Sequence, residues 1–128
     1  MPETYTLTRV GSLLLTRAAV SGPDGTKVIN LLVDTGSTYT ILPVEVLESV
    51  GLSPTQSKRH VRIATGSGYI MAPKVTLEKL DTLGRQFRHV ITIAHTLPFG
   101  GTIDGLLGMD LLSRMKAKIL AAEGAIEL

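Results

Sequence analysis

Cysteine is absent from the sequence, which excludes disulfides, thiolate metal sites and a cysteine nucleophile together. Tryptophan is absent too, and aromatic residues make up only 4% of the chain. The core must therefore be built from Leu, Ile, Val and Ala, and stacking platforms for nucleic-acid bases are scarce. Charge of one sign is also lacking: thirteen Lys and Arg against eleven Asp and Glu leave a formal +2, no electrostatic footprint for a phosphate backbone. The local cluster of Lys58, Arg59 and Arg62 reads as a solvated face. No apolar run approaches the ~20 residues that span a bilayer, and the opening Met-Pro-Glu-Thr-Tyr-Thr has neither the basic nor the apolar region of a signal peptide. A soluble cytoplasmic protein, with no nucleic-acid partner and no membrane association, is expected.

The 128 residues, 44% hydrophobic and 19% charged, suit one compact domain spanning 1–128. Residues 4 to 21 are rich in β-branched and apolar types, which Gly11-Ser12 would divide into two strands. Ser21-Gly22-Pro23-Asp24-Gly25-Thr26 is a dense turn signal, so residues 12 to 33 read as a hairpin whose second strand ends at Asp34. Pro43 opens a short helical pattern over Val44 to Val50, which Gly51 stops. Residues 53 to 60 are polar and loop-like. Residues 61 to 80 read as a hairpin tipped by Gly66-Ser67-Gly68, and Phe87 to Ala94 as another strand. After the loop Leu97-Pro98-Phe99-Gly100-Gly101 comes a short apolar stretch, Ile103 to Gly108. Asp110 would then cap a brief helix through Met115, and strands at 117–121 and 125–128 close the chain. An apolar run, an Asp/Gly turn and a short helix occur at 29–50 and again at 103–115, a pattern that a pseudo-twofold within the domain would produce.

The chemistry concentrates at Leu31-Leu32-Val33-Asp34-Thr35-Gly36-Ser37-Thr38, where a carboxylate, hydroxyls and a glycine share one turn after an apolar strand. A carboxylate at the end of a buried strand is costly unless used or satisfied. Glycine lets backbone N–H groups approach it, which favours the ionised form. Taken alone, Asp-Thr-Gly more often marks an ordinary turn than a site.

A second motif follows, Ile103-Asp104-Gly105-Leu106-Leu107-Gly108-Met109-Asp110-Leu111-Leu112. Together with Asp34-Thr35-Gly36-Ser37 it resembles the retropepsin-like aspartic peptidase family over nearly the whole chain. The resemblance implies an all-β fold with short helices, a single-lobe acid-protease-like β-barrel. In this family the first motif carries the catalytic Asp, and the later glycine motif packs beneath it and leads into a helix. The hairpin tipped by Gly66, Ser67 and Gly68 sits where the family places its flap. Because one chain supplies one Asp-Thr-Gly, the resemblance implies a homodimer whose two Asp34 carboxylates share a proton and activate water. Thr35 would brace the pair across the interface, and Gly36 would lie at the substrate backbone. Ser37 is expected to donate to an outer Asp34 oxygen, moving the activity optimum toward acid relative to Ala. An extended peptide would lie against Thr38 and Tyr39, with Ile41, Ile70 and Leu106 lining pockets or serving as plain core. Retroviral members place an Asp two residues past the motif glycine and an Arg directly after the later one, and these form an ion pair. This chain has Thr38 and Met109 there.

Asp104 lacks a Thr-Gly context and reads as a loop residue. His60, His89 and His95 lack metal-ligand spacing, so no metal and no cofactor is expected. The string Asp34-Thr35-Gly36-Ser37-Thr38 also looks like the first phosphate loop of the sugar-kinase and actin superfamily, but that fold needs two large lobes. The remaining alternative is a catalytically silent module of the same fold, retained for dimerisation or peptide binding.

Overall fold

The computed structural model describes residues 2–128, the Thr65 side chain excepted. In chain order the elements are β1 (Thr4–Thr6), β2 (Thr8–Val10), β3 (Leu13–Gly22), β4 (Gly25–Val33), β5 (Ile41–Leu42) and α1 (Val44–Ser49). A 3₁₀ turn, Pro54–Gln56, precedes β6 (His60–Thr65), β7 (Gly68–Thr82), β8 (Arg85–Ala94) and β9 (Gly105–Leu107). The chain then forms α2 (Met109–Arg114), β10 (Lys118–Leu120) and β11 (Ala125–Glu127). This is the expected all-β architecture with short helices.

The larger sheet runs β2-β3-β4-β9-β5-β8-β7-β6, and β3 also pairs with β7, so the strands between them close into a ring. Closure leaves few free edges. At its centre β4 runs parallel to β9, β5 runs parallel to β8, and β5 meets β9 antiparallel through Ile41 and Leu106. Of the segments noticed as an echo in the sequence, 29–50 contains most of β4, all of β5 and α1, and 103–115 contains β9 and α2. A second sheet, β1-β11-β10, gathers the two ends of the chain.

Hydrophobic patterning explains the layers. Along the inner ends of β3 and β4, Leu14 and Leu31 face the main core, while Leu15 and Leu32 face a second cluster with Ile41, Ala72, Ile93 and Leu106. Both faces are covered there, which is why the sequence shows unbroken Leu14-Leu15 and Leu31-Leu32-Val33 runs and no alternation, whereas Leu13 at the start of β3 is exposed. The second cluster is the underside of the cleft described below.

Three local features differ from the sequence reading. The first strand region divides at Leu7, which is buried and donates its N–H to the Gly124 carbonyl at 2.9 Å. The chain changes sheets at that point, β1 joining β11 and β2 joining β3. The expected loop at 53–60 contains the Pro54–Gln56 turn. The second strand of the flap hairpin, β7, extends through Thr82 to a tight turn at Leu83-Gly84, with φ of 50° and 67°. A left-handed Leu costs about 1–2 kcal/mol. Leu83 is buried in the main core, and burial of a leucine contributes about 1.5–3 kcal/mol, which offsets that cost.

Beside α1, the Glu45 carboxylate accepts the Thr96 hydroxyl at 2.8 Å, and the Val44 N–H donates to the same hydroxyl at 3.3 Å. These bonds tie the start of the helix to the loop after β8. Hydrogen bonding from its own backbone N–H, then from Thr96, holds Glu45 below the usual carboxylate range.

Leu107, the last residue of β9, is fully buried. Leu107→Ala is expected to lower unfolding stability by about 2–5 kcal/mol, measured as a shift of the urea midpoint at constant slope.

Candidate active site

Asp34 leaves the end of β4, where its N–H donates to the Leu107 carbonyl at 3.0 Å and so continues the parallel ladder with β9. The chain then turns sharply, with the Ser37 N–H donating to the Asp34 carbonyl at 3.2 Å. Within this turn the Gly36 N–H donates to Asp34 Oδ1 at 2.9 Å. A Cβ at Gly36 would stand 3.2 Å from that same oxygen, so a side chain there would crowd the carboxylate. Among the described residues nothing donates to Asp34 Oδ2. The half-buried carboxylate therefore presents one braced oxygen and one open oxygen.

The turn rests on the second glycine motif. A Cβ at Gly105 would overlap the Ile41 carbonyl, and one at Gly108 would overlap the Tyr39 carbonyl and come within 3.0 Å of the Ser37 carbonyl. Glycine is required at both positions because backbone lies directly on backbone. The contact is fastened by hydrogen bonds: Met109 N–H to the Ser37 carbonyl at 2.8 Å, and Asp110 N–H to the Thr38 carbonyl at 3.2 Å.

Asp110 has a larger part than helix capping. Gly108 occupies the N-cap position, and Asp110 lies in the first turn of α2. Its Oδ2 accepts the Thr40 N–H at 3.0 Å, and its Oδ1 accepts the Thr40 hydroxyl at 2.8 Å and the Leu111 N–H at 2.8 Å. Thr40 is wholly buried, and its hydroxyl also accepts the Gly108 N–H at 3.2 Å. The carboxylate thus clamps the far end of the Asp34 loop onto α2. Asp104 is accounted for in a similar way, because its Oδ2 accepts the Asn30 N–H at 2.8 Å and holds β4 to the strand that follows.

Above this floor lies a cleft of about 820 Å³. Asp34, Gly36, Ser37, Thr38 and Tyr39 line one side, with Ile41 and Leu106 in the floor. The last two are buried members of the second cluster as well, so they serve as core and as cleft lining at once. The β6–β7 hairpin closes the other side. Its Thr65↔Gly68 register leaves a two-residue tip, Gly66-Ser67, and both tip residues line the cleft together with Ile70. Gly68 does not line it; at φ 126° it shapes the turn. Thr35 is also off the cleft, exposed at the outer side of its turn.

The expected bond from Ser37 to Asp34 is not made. The Ser37 hydroxyl donates to the Tyr39 carbonyl at 2.6 Å, because the tight turn points it along its own loop and away from the carboxylate. Arg62, Ile63, Ala64, His95, Leu97 and Pro98 also line the cleft, although the sequence reading gave none of them a place at the site and took Arg62 for part of a solvated face. Ile63 was recoverable in principle, since a two-residue tip fixes its pairing opposite Ile70. The segment 95–98 comes from a loop whose approach to Asp34 is set by long-range packing.

Comparison with known proteins identifies the family and the fold. The model of a family described as aspartyl protease matches residues 17–111, from β3 to α2. The chain belongs to the aspartyl protease family. A crystal structure of a retropepsin-like aspartic protease from Rickettsia conorii shares the fold, with a TM-score of 0.74 at 23% identity, over 100% of this chain and 91% of that one. A curated Sinorhizobium relative, described as an uncharacterized protein in the cobV 5′ region, is 34% identical over 102 residues. That match covers 79% of this chain but 41% of the relative, so the chain spans about two fifths of that protein's length. Within this aspartyl protease fold the family match includes both glycine motifs and ends within α2, one residue beyond Asp110.

Removing the clamp tests its weight. Asp110→Ala would strand the Thr40 N–H and hydroxyl in a buried position, and an expected loss of roughly 2–4 kcal/mol should appear in denaturant unfolding. A loss below 0.5 kcal/mol, on the order of an exposed substitution, would show that the clamp is dispensable.

Proposed function

We propose that this chain is an aspartic endopeptidase that acts as a homodimer, each subunit contributing Asp34. The observation that carries the reading is the Asp34 turn at the cleft floor, with Oδ1 held by the Gly36 N–H and Oδ2 open toward the cleft. One such carboxylate is half of a general acid–base pair. A second in the same setting, from a symmetry mate, completes it. Like charges so close do not both ionise readily, so one proton belongs to the pair.

In the resulting mechanism the ionised member removes a proton from a water held between the carboxylates, and the water oxygen bonds to the scissile carbonyl carbon. The protonated member donates to the carbonyl oxygen, giving a neutral tetrahedral diol. Proton transfer to the amide nitrogen then lets the C–N bond break, releasing an acid and an amine and restoring one shared proton. No covalent enzyme intermediate forms.

An extended peptide fits the space between the Gly66-Ser67 tip and the floor, where strand-like backbone hydrogen bonds would hold it. Apolar side chains flanking the scissile bond would rest on Ile41, Ile70 and Leu106. Residues 1–128 act as one domain in this proposal. No helix among the described residues is long and apolar enough to cross a membrane; the proposal places the enzyme in the cytoplasm, as composition suggested.

Asp34→Asn is expected to reduce cleavage of a peptide mixture by about 10²–10⁴-fold or more while leaving thermal unfolding and assembly in place. A well-folded wild-type dimer that cleaves nothing would favour the silent-module alternative. Ser37→Ala should leave the pH profile of cleavage where it is, because the hydroxyl is committed to the Tyr39 carbonyl. An alkaline shift would mean that the hydroxyl turns toward Asp34 in the assembled enzyme.

A further inference from the structure

Acidic side chains are missing from one stretch of the chain. Between Glu48 and Glu78 the sequence holds Lys58, Arg59, Arg62 and Lys74 but no Asp or Glu. That stretch includes β6 and the part of β7 paired with it, Gly68 to Pro73. The cleft repeats the imbalance: Asp34 is the one acidic residue of its lining, whereas Arg62 and His95 are basic.

Along the hairpin Val61, Ile63 and Ala72 turn inward to the second cluster, so Arg62 and its register partner Met71, with Ala64 and Tyr69, stand on the outer face. Tyr69 and Met71 are 69% and 63% exposed, the most open large apolar side chains among the described residues. The Arg62 guanidinium carbon lies 4.6 Å from the centre of the Tyr69 ring. Ion pairs among the described residues join Lys79 to Asp81, Arg85 to Glu3 and Lys118 to Glu127, and none reaches Arg62. The ring thus holds the cation in place while the planar fork of donors that matches a carboxylate has no carboxylate to bind. Exposed and yet part of the cleft lining, Arg62 stands at the cleft's rim, within reach of a peptide that runs out of it. Four residues of strand, about 13 Å, separate it from Gly66 at the tip.

We propose that Arg62, held on Tyr69, is a specificity-determining residue that takes the carboxylate of an Asp or Glu in the substrate, several residues away from the scissile bond. The inference rests on the reading of the cleft as a peptidase site. Charge selects the class of side chain. A dyad with one shared proton carries a negative charge, so an acidic side chain beside the scissile bond is repelled, whereas one at Arg62 gains a bidentate partner. A Lys or Arg at the same place meets a like charge, with no acidic residue in the paired part of the hairpin to relieve it. Ile41 and Leu106 offer an apolar surface beside Asp34. The favoured substrate is therefore an extended segment, apolar around the cleaved bond and acidic on one flank.

Peptides that share one cleaved core, with Glu, Gln or Lys placed in turn at each flanking position, test this on the full chain. At one position the wild type is expected to cleave the Glu peptide with kcat/KM about fivefold or more above the Gln peptide, and the Lys peptide below it. Arg62→Glu should reverse that order in favour of Lys, a reversal that a merely structural defect does not produce. Lys58→Glu makes the same change in net charge outside the cleft lining and should keep the wild-type order. No position favouring Glu, an order that survives Arg62→Glu, or an equal loss in Lys58→Glu would each overturn the assignment. Binding of the same peptides to Asp34→Asn, followed by fluorescence anisotropy, separates this site from the peptidase reading. Suppose the wild type cleaves nothing, while Asp34→Asn binds the Glu peptide more tightly than the Gln peptide and loses that preference when Arg62→Glu is added. The carboxylate site then stands and the peptidase reading falls. With neither cleavage nor Arg62-dependent binding, both fall.

Discussion

Backbone lying directly on backbone, at Gly105 and Gly108, is the constraint on which the site depends. The segment from Ser37 to Ile41 crosses β9 and the start of α2 so closely that neither glycine could carry a side chain. This contact sets the height of the Asp34 turn above the core, and the ladder bond from Asp34 to Leu107 sets its direction. The paired glycine motifs are therefore one feature seen from two places in the chain. Asp34-Thr35-Gly36 supplies the carboxylate, and Gly105-Leu106-Leu107-Gly108 supplies the ground it stands on.

Close approach alone would leave polar groups buried without partners, and Asp110 resolves this. Thr40 is the point where the loop dives into the core to begin β5, so its N–H and hydroxyl are both removed from water. Three donors converge on one carboxylate, two of them from Thr40. Charge-assisted bonds of this kind are worth roughly 1.5–3 kcal/mol each where buried, more than the cost of holding one aspartate at a helix start where the dipole already favours it. The loop that carries Asp34 is thus fixed at both ends, by the ladder at Leu107 and by the clamp at Thr40. Its middle remains free to present Thr35 outward and the Asp34 carboxylate to the cleft.

Much of this was legible in the sequence because the deciding signals are local or are spacings between strong local signals. The turn at Pro23-Asp24, the glycine-bounded helix at 44–49, the flap tip and the two motifs all announce themselves within a few residues. What escaped has a common cause. Leu83 takes a left-handed turn position that its residue type disfavours, and only core burial makes it tolerable. The Ser37 hydroxyl turned out to be spent on Tyr39, a choice between two nearby acceptors that residue types cannot decide. Asp110 looked like a cap because caps are the commonest use of Asp at that place, whereas its partner Thr40 lies far away in sequence. The cleft wall at 95–98 is positioned by Thr96 against Glu45 and Val44, again a long-range pairing.

The separation between what folds a subunit and what completes its site follows from the same geometry. The ring of strands is closed by β3 on β7, and the ends of the chain are paired by β1 on β11, so both devices that seal the barrel act within one chain. In the proposed enzyme, stability then belongs to the monomer and activity belongs to the pair. A second-order dependence at low concentration is the consequence, since each productive site needs two folded subunits and neither folds at the other's expense. Where terminal strands are exchanged between subunits, by contrast, folding and assembly are coupled, and a free monomer leaves unsatisfied strand edges. In this chain β11 is paired on both edges, by β1 and β10, which leaves only the outer edges of those two strands open among the described residues. A monomer pool would then persist as an intact fold with one carboxylate, and peptide hydrolysis would be governed by how often two such subunits meet.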